Sequence, residues 1–84
     1  MTKKDKLLER FLSLPKDFTY NELKSMLSSL GYQEYHLGKT SGSRVLFYNE
    51  SISHEFKIHK PHPENIIKPY LMRYIYEQLK EKIL

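Results

Sequence analysis

The sequence contains no cysteine and no long apolar run. The absence of cysteine excludes disulfides, thiol nucleophiles and thiolate metal sites, and it suits a reducing compartment. No apolar stretch approaches the length that spans a membrane. The basic N-terminal segment is not followed by the uninterrupted apolar stretch of a signal peptide. We therefore expect a cytoplasmic protein with no membrane partner.

Internal repeats, low-complexity segments and linkers are also missing, so we expect residues 1–84 to form a single domain. Acidic residues are fewer than basic ones, with 10 Asp and Glu against 14 Lys and Arg, which gives a net charge of +4. The excess lies in residues 36–84, which also contain all four histidines. Such a surface favours anionic partners, of which nucleic acid is the commonest, although it can also be merely solvated.

Helical spacing of apolar residues occurs in three stretches. The first covers residues 4–14, with apolar side chains at Leu7, Leu8, Phe11 and Leu12. The second begins at a capping box of Thr19 and Glu22 and ends at Gly31. The third begins near Pro69, because proline suits the first helical turn. Its apolar stripe should lie on a sheet and consists of Ile67, Leu71, Ile75 and Leu79.

Alternating sequence between the second and third helices predicts strands at residues 32–37, 44–48 and 53–59. Short loops join the strands, and residues 38–42 form the first hairpin loop. This pattern predicts an antiparallel meander with the helices on one face. We therefore expect an α+β fold in the order α-α-β-β-β-α, with a three-stranded antiparallel sheet.

The alternation also assigns side chains to the two faces of the predicted sheet. The core face should carry the apolar side chains of Val45, Phe47, Phe56 and Ile58. The opposite face should present Arg44, Tyr48, Lys57 and His59 together, although a register slip of one residue would reverse this assignment. The small-residue turn before Arg44 also allows a phosphate to approach the backbone closely.

Several short motifs are more specific than this general pattern. They are Leu30-Gly31-Tyr32, Gly42-Ser43-x-x-x-Phe47, and a connector of proline and histidine before Ile67-Lys68-Pro69. With these motifs, residues 20–79 resemble the HicA toxins of type II toxin–antitoxin systems. The resemblance implies a fold like that of double-stranded-RNA-binding domains, a ribonuclease activity on mRNA, and neutralisation by a HicB antitoxin.

One position departs from the pattern of that family. HicA toxins usually carry Gly-Ser-His, and the histidine is taken as catalytic, whereas Arg44 stands at the matching position here. Arginine can bind phosphate but cannot act as a base near neutral pH. Either another histidine carries the catalysis, or the protein binds RNA without cutting it.

Cleavage of RNA without a metal needs a base, an acid and a cation for the phosphate. Histidine suits the first two roles and arginine or lysine the third. The predicted catalytic residues are therefore His59, His62 and Arg44. The predicted RNA-binding residues are Lys39, Ser43, Tyr48, Lys57 and Lys60. We expect no metal and no other cofactor, because no Asp, Glu or Cys accompanies the histidines at a suitable spacing.

Structural roles compete with these interpretations. Arg44 can pair with Glu34 or Glu55 across strands, and lysines on an edge can simply discourage strand pairing. We interpret His36 and His54 as surface residues of strands. We interpret three tyrosines of the last helix as packing residues, namely Tyr70, Tyr74 and Tyr76.

Three functions therefore remain open. The first is a HicA-like endoribonuclease that acts on mRNA and has a HicB-type antitoxin as its partner. The second is an RNA-binding domain of the same fold without catalysis. The third is a protein-interaction domain whose basic face binds an acidic partner such as HicB.

Overall fold

The computed structural model describes residues 3–37, 44–61 and 64–83. Its elements follow the predicted order: helices α1 (Lys3–Leu12) and α2 (Tyr20–Ser29), strands β1 (Gln33–His36), β2 (Arg44–Asn49) and β3 (His54–His59), and helix α3 (Pro69–Lys82). A short 3₁₀ turn, Glu50–Ile52, joins β2 to β3. The predicted α+β fold is confirmed. None of the described helices is long and apolar enough to cross a membrane.

Helix α2 has the start and stop signals that the sequence predicts. The Thr19 hydroxyl accepts a hydrogen bond from the Glu22 backbone, and the Glu22 carboxylate accepts one from the Thr19 backbone. At the other end, the amide of Gly31 donates to Ser28 and that of Tyr32 to Leu27, which is a Schellman motif.

Gly31 adopts a φ of 101°, a backbone conformation that residues with a side chain rarely adopt. A Cβ there would also lie 3.0 Å from Nδ2 of Asn49. Asn49 is buried, and its amide donates to the Leu30 carbonyl at 3.0 Å. The end of α2 is thereby attached to the end of β2, and this contact positions β1 beside β2.

The three strands form one antiparallel sheet in the order β1-β2-β3. Val45 pairs with Ile58 and Phe47 with Phe56, and all four side chains are buried under the helices. Their neighbours along each strand point to the opposite face, so the predicted register is confirmed. The helices cover one face of the sheet and leave the other open.

The core lies between the helices and the covered face of the sheet. Phe47 contacts Phe56 with ring centroids 5.7 Å apart, and Tyr20 packs on Phe47 at 6.3 Å. From α3, Ile75 and Leu79 are fully buried, as the stripe predicts. Burial of aromatic and aliphatic surface on this single face supplies most of the driving force for folding.

Helix α1 packs against α2 through Phe11, which is fully buried. Arg10 reinforces this contact, with ion pairs to Asp17 at 2.7 Å and Glu22 at 2.9 Å and its guanidinium 5.2 Å above the ring of Phe18. The apolar face of α1 is narrower than predicted, because Leu12 is exposed at its end.

Candidate functional site

The face of the sheet that the helices do not cover, which we call the open face, carries eight side chains in three rows. One row pairs Arg44 with His59. The next rows run across the sheet as Tyr35-Leu46-Lys57 and Gln33-Tyr48-Glu55. Because strands alternate their side chains, this arrangement follows directly from the register.

The basic end of the open face is formed by Arg44, Lys57 and His59. Arg44 and His59 are directly opposite each other on neighbouring strands, a position in which Cβ atoms lie about 5 Å apart. Together with Lys57 they line a shallow concavity of about 210 Å³. All three side chains are exposed, and none takes part in an ion pair among the described residues. They are therefore available to an anionic ligand.

The other end of the open face, which we call the aromatic end, carries Tyr35 and Tyr48. The Tyr35 hydroxyl donates to Oε1 of Gln33 at 2.9 Å, and its ring is 46% exposed. A polar concavity of about 170 Å³ lies here and is lined by Gly31, Gln33, Tyr35, Tyr48, Glu50 and Ser51. The sequence interpretation included Tyr48 but missed Tyr35. The sequence could have revealed Tyr35, because it lies three residues after the buried Tyr32 and alternation in a strand therefore puts its side chain on the opposite face.

Lys60 lies on the helix side of the sheet, away from the open face. Its ammonium group is 5.2 Å above the ring of Tyr20. The hydroxyl of Tyr20 in turn donates to the Glu34 carboxylate, which also pairs with Lys24 and His36 at 3.3 Å each. Lys60 therefore lies on the other side of the sheet from the side chains of Arg44 and His59.

The contacts that Glu34 makes with Tyr20, Lys24 and His36 shift the pKa values of Glu34 and Tyr20. Burial raises the pKa of the Glu34 carboxyl, but the hydrogen bonds from Tyr20 and Lys24 and the nearby charges of Lys24 and His36 outweigh burial, so the pKa lies below its usual range. Burial, together with the contact to Glu34, raises the pKa of the Tyr20 hydroxyl. Glu34 is thus a charged, fully engaged structural group. Among the described ion pairs it has no contact with Arg44, which was one predicted alternative.

The interpretation of His54 as a surface residue is wrong. His54 is 8% exposed, and its Nδ1 lies 2.5 Å from the Tyr32 hydroxyl while Nε2 lies 3.0 Å from Oε1 of Gln78. The amide oxygen of Gln78 can only accept, so Nε2 donates to it, and the Tyr32 hydroxyl is the partner of Nδ1. This chain of hydrogen bonds connects the end of α2, strand β3 and helix α3. His36, in contrast, is exposed as predicted.

Two tyrosines of α3 also differ from their predicted packing role. Tyr70 is 68% exposed and Tyr74 is 41% exposed, although the Tyr74 ring still contacts Phe56 edge-on. Tyr76 is half-buried and packs against the core as expected. Both rings are therefore partly exposed to solvent, and the Tyr74 ring lies at the edge of the core.

Three of the predicted site residues, Lys39, Ser43 and His62, lie outside the described residues. The loop predicted for residues 38–42 lies there too. Within the ranges that the structure describes, no three His, Asp or Glu side chains group in a way that could hold a metal ion. The described candidate site therefore consists of the basic end and the aromatic end of the open face.

A comparison with protein families identifies a match to this chain. The family model described as HicA toxin of bacterial toxin-antitoxin matches residues 20–80, which run from the start of α2 through the sheet to the last turn of α3. No curated protein and no solved structure matches the chain. The match covers more than half of the 84 residues. This chain therefore belongs to the HicA toxin family of bacterial toxin–antitoxin systems.

Proposed function

We propose that this protein is an endoribonuclease that cleaves mRNA in the cytoplasm without a metal ion and that a HicB-type antitoxin neutralises it. The observation that supports this proposal best is the pairing of Arg44 with His59 on an exposed sheet face, beside Lys57. This pairing places a group that can exchange protons near neutral pH next to a permanent cation.

The chemistry requires a proton acceptor and a phosphate clamp in one place. His59 takes the proton of the RNA 2′-hydroxyl, whose oxygen then attacks the adjacent phosphorus. Arg44 holds the phosphate through its planar guanidinium and stabilises the negative charge that develops on its oxygens. The leaving 5′-oxygen needs a proton, and His62 is the candidate donor. Lys57 adds attraction for the RNA backbone.

We propose that the antitoxin binds the same surface. The open face combines cations that have no ion pair among the described residues with the half-buried Leu46 and exposed Tyr35, and an acidic partner chain would complement it. Burial of Phe11 against α2 supports the further proposal that residues 1–84 form one domain. Under that proposal, α1 is part of the folded toxin although it precedes the family match.

The second candidate function is RNA binding without cleavage. Arg44 favours it, because arginine stays protonated and cannot replace the histidine that the family usually has at this position. The same basic end would then hold phosphates only. Both candidates predict binding that weakens steeply with salt, so binding alone does not separate them.

A cleavage assay separates the two. Purified protein is incubated with a long mRNA and excess chelator, with wild type beside Arg44→Ala, His59→Ala and His62→Ala. The matched control is His36→Ala, which removes an exposed histidine on the helix side of β1. We expect the wild type and the control to cut, with at least a hundredfold loss in His59→Ala, typical of a lost acid or base.

If the double variant His59→Ala, His62→Ala still cuts RNA, the proposed catalytic residues are wrong. If the wild type binds but does not cut, the variant Arg44→His provides the next step, because it restores the histidine of the family motif. A gain of cleavage in that variant would establish the RNA-binding function for the natural sequence.

A further inference from the structure

The open face changes its chemistry along the strands. Its basic end carries Arg44 and His59, whereas carboxylates accompany the other end, where Glu55 lies beside Tyr48 and Glu50 lines the concavity. The two ends are four residues apart on β2, or about 13 Å. Carboxylates repel phosphate, so a nucleic acid strand can place its phosphate only at the basic end.

Tyr35 is suited to hold a planar group. Its ring is 46% exposed, and its hydroxyl is fixed by the hydrogen bond to Gln33. In the sheet it occupies the same row as Leu46 and Lys57, directly beside the row of Arg44 and His59. Every nucleobase has an aromatic face, and exposed tyrosines on sheets commonly stack unpaired bases.

We propose that Tyr35 stacks an unpaired RNA base adjacent to the phosphate held at the basic end, and that Gln33 and Glu50 contact the edge of that base. This inference rests on the proposed function, because the phosphate position comes from Arg44 and His59. Gln33 uses its oxygen for Tyr35, which leaves its amide protons as donors. The Glu50 carboxylate accepts from an exocyclic amino group, as acidic residues do with cytosine.

The arrangement selects single-stranded RNA. Bases of a duplex are stacked inside the helix, and only their edges and the backbone reach the surface. The exposed ring of Tyr35 cannot stack on such a base unless the base is unpaired. Contacts to phosphates alone can be made by both forms, whereas stacking on the Tyr35 ring adds an interaction that only the unpaired strand can make.

The test is the binding of a short 2′-O-methyl RNA, which lacks the hydroxyl needed for cleavage. One base is replaced by 2-aminopurine, whose fluorescence falls on stacking. Affinity is measured for the single strand and for the same strand annealed to its complement. The variants are Tyr35→Ala, Tyr35→Phe, and the control Tyr70→Ala, which removes an exposed tyrosine of α3.

For the single strand, Tyr35→Ala should bind between about 5-fold and 150-fold more weakly than wild type and should lose the quenching. Tyr35→Phe keeps the ring and should retain both, and Tyr70→Ala should bind like the wild type. The duplex should bind more weakly than the single strand, and Tyr35→Ala should not change its affinity.

The proposal is overturned if Tyr35→Ala binds the single strand like the wild type or if Tyr70→Ala loses as much affinity. It is equally wrong if Tyr35→Ala instead weakens only the complex with the antitoxin. Cleavage of the unmodified RNA is measured in parallel. Stacking without cleavage would support the base subsite while contradicting the ribonuclease proposal, so the two can fail separately.

Discussion

The two faces of the sheet are made from alternate residues of the same strands, yet they differ in almost every physical property. On the covered face, Phe47 and Phe56 are at most 3% exposed and contact other aromatic rings. On the open face, Arg44 and Lys57 are exposed and form no ion pair within the described ranges. A shift of one residue along a strand therefore separates side chains that stabilise the core from side chains that are exposed to solvent.

Polar groups show the same contrast. On the helix side, Glu34 has three partners, and His54 has one at each ring nitrogen. Such satisfied groups fix the geometry of the fold. Unpaired charges on the open face contribute little to stability and leave their binding capacity for a ligand. The predictions below compare neighbouring positions on the two faces.

The largest effect is expected from Phe47→Ala, compared with Leu46→Ala next to it. Phe47 is fully enclosed, so its loss removes buried apolar area and leaves a cavity, and the free energy of unfolding should fall by about 3–5 kcal/mol. Leu46 is half-buried on the open face, and its truncation should cost about 1 kcal/mol. Urea unfolding followed by circular dichroism measures both. Equal losses would contradict the contrast between the faces.

The next comparison concerns two histidines of β3. His54→Ala leaves the Tyr32 hydroxyl and the Gln78 amide without partners, so the free energy of unfolding should fall by about 1–3 kcal/mol. His59→Ala should change it by no more than about 0.5 kcal/mol, because the side chain is exposed. Under the proposed function, only the second variant loses RNA cleavage while remaining fully folded. Unchanged stability in His54→Ala would show that the buried network is dispensable.

A smaller effect is expected from the Glu34 carboxylate. Its pKa is lower in the folded state than in the unfolded chain, so its stabilisation is present above the unfolded value and is lost as the pH falls through the folded value. Glu34→Gln should therefore cost about 1 kcal/mol at neutral pH, and the difference from wild type should shrink below about pH 4. Unfolding free energies at pH 7 and pH 3 test this expectation. The control Glu55→Gln changes an exposed carboxylate on the open face and should leave the free energy of unfolding at pH 7 close to that of the wild type.

Local patterns predicted most of the fold. The capping box and Gly31 defined α2, and the alternation in β2 and β3 predicted both faces with the correct register. These features depend on neighbouring residues or on a period of two, which a sequence displays directly. The basic end of the open face followed from the same alternation.

Long-range contacts explain what the sequence did not reveal. His54 has the same phase as Phe56, yet its polarity suggested the surface, and its partners are 22 and 24 residues away. Lys60 is also an even number of residues from Phe56, so alternation puts it on the covered face. Its contact with Tyr20 depends on how α2 lies over the sheet. Hydrogen bonds and cation–π contacts of this kind form only after the elements pack. For Lys39, Ser43 and His62, the proposed roles stay predictions.

The smallest expected effect compares Lys57 with Lys60, two lysines three positions apart that lie on opposite sides of the sheet. If RNA lies on the open face, Lys57→Ala removes about one phosphate contact. The slope of log affinity against log salt should then decrease by about 0.7 in magnitude, the value for one contact to a single strand. Lys60→Ala should leave the slope unchanged, because its ammonium lies over Tyr20. Affinities of the uncleavable single strand at several salt concentrations measure both slopes. A larger change in Lys60→Ala would place the RNA on the helix side, and the open face would then be free for the antitoxin alone.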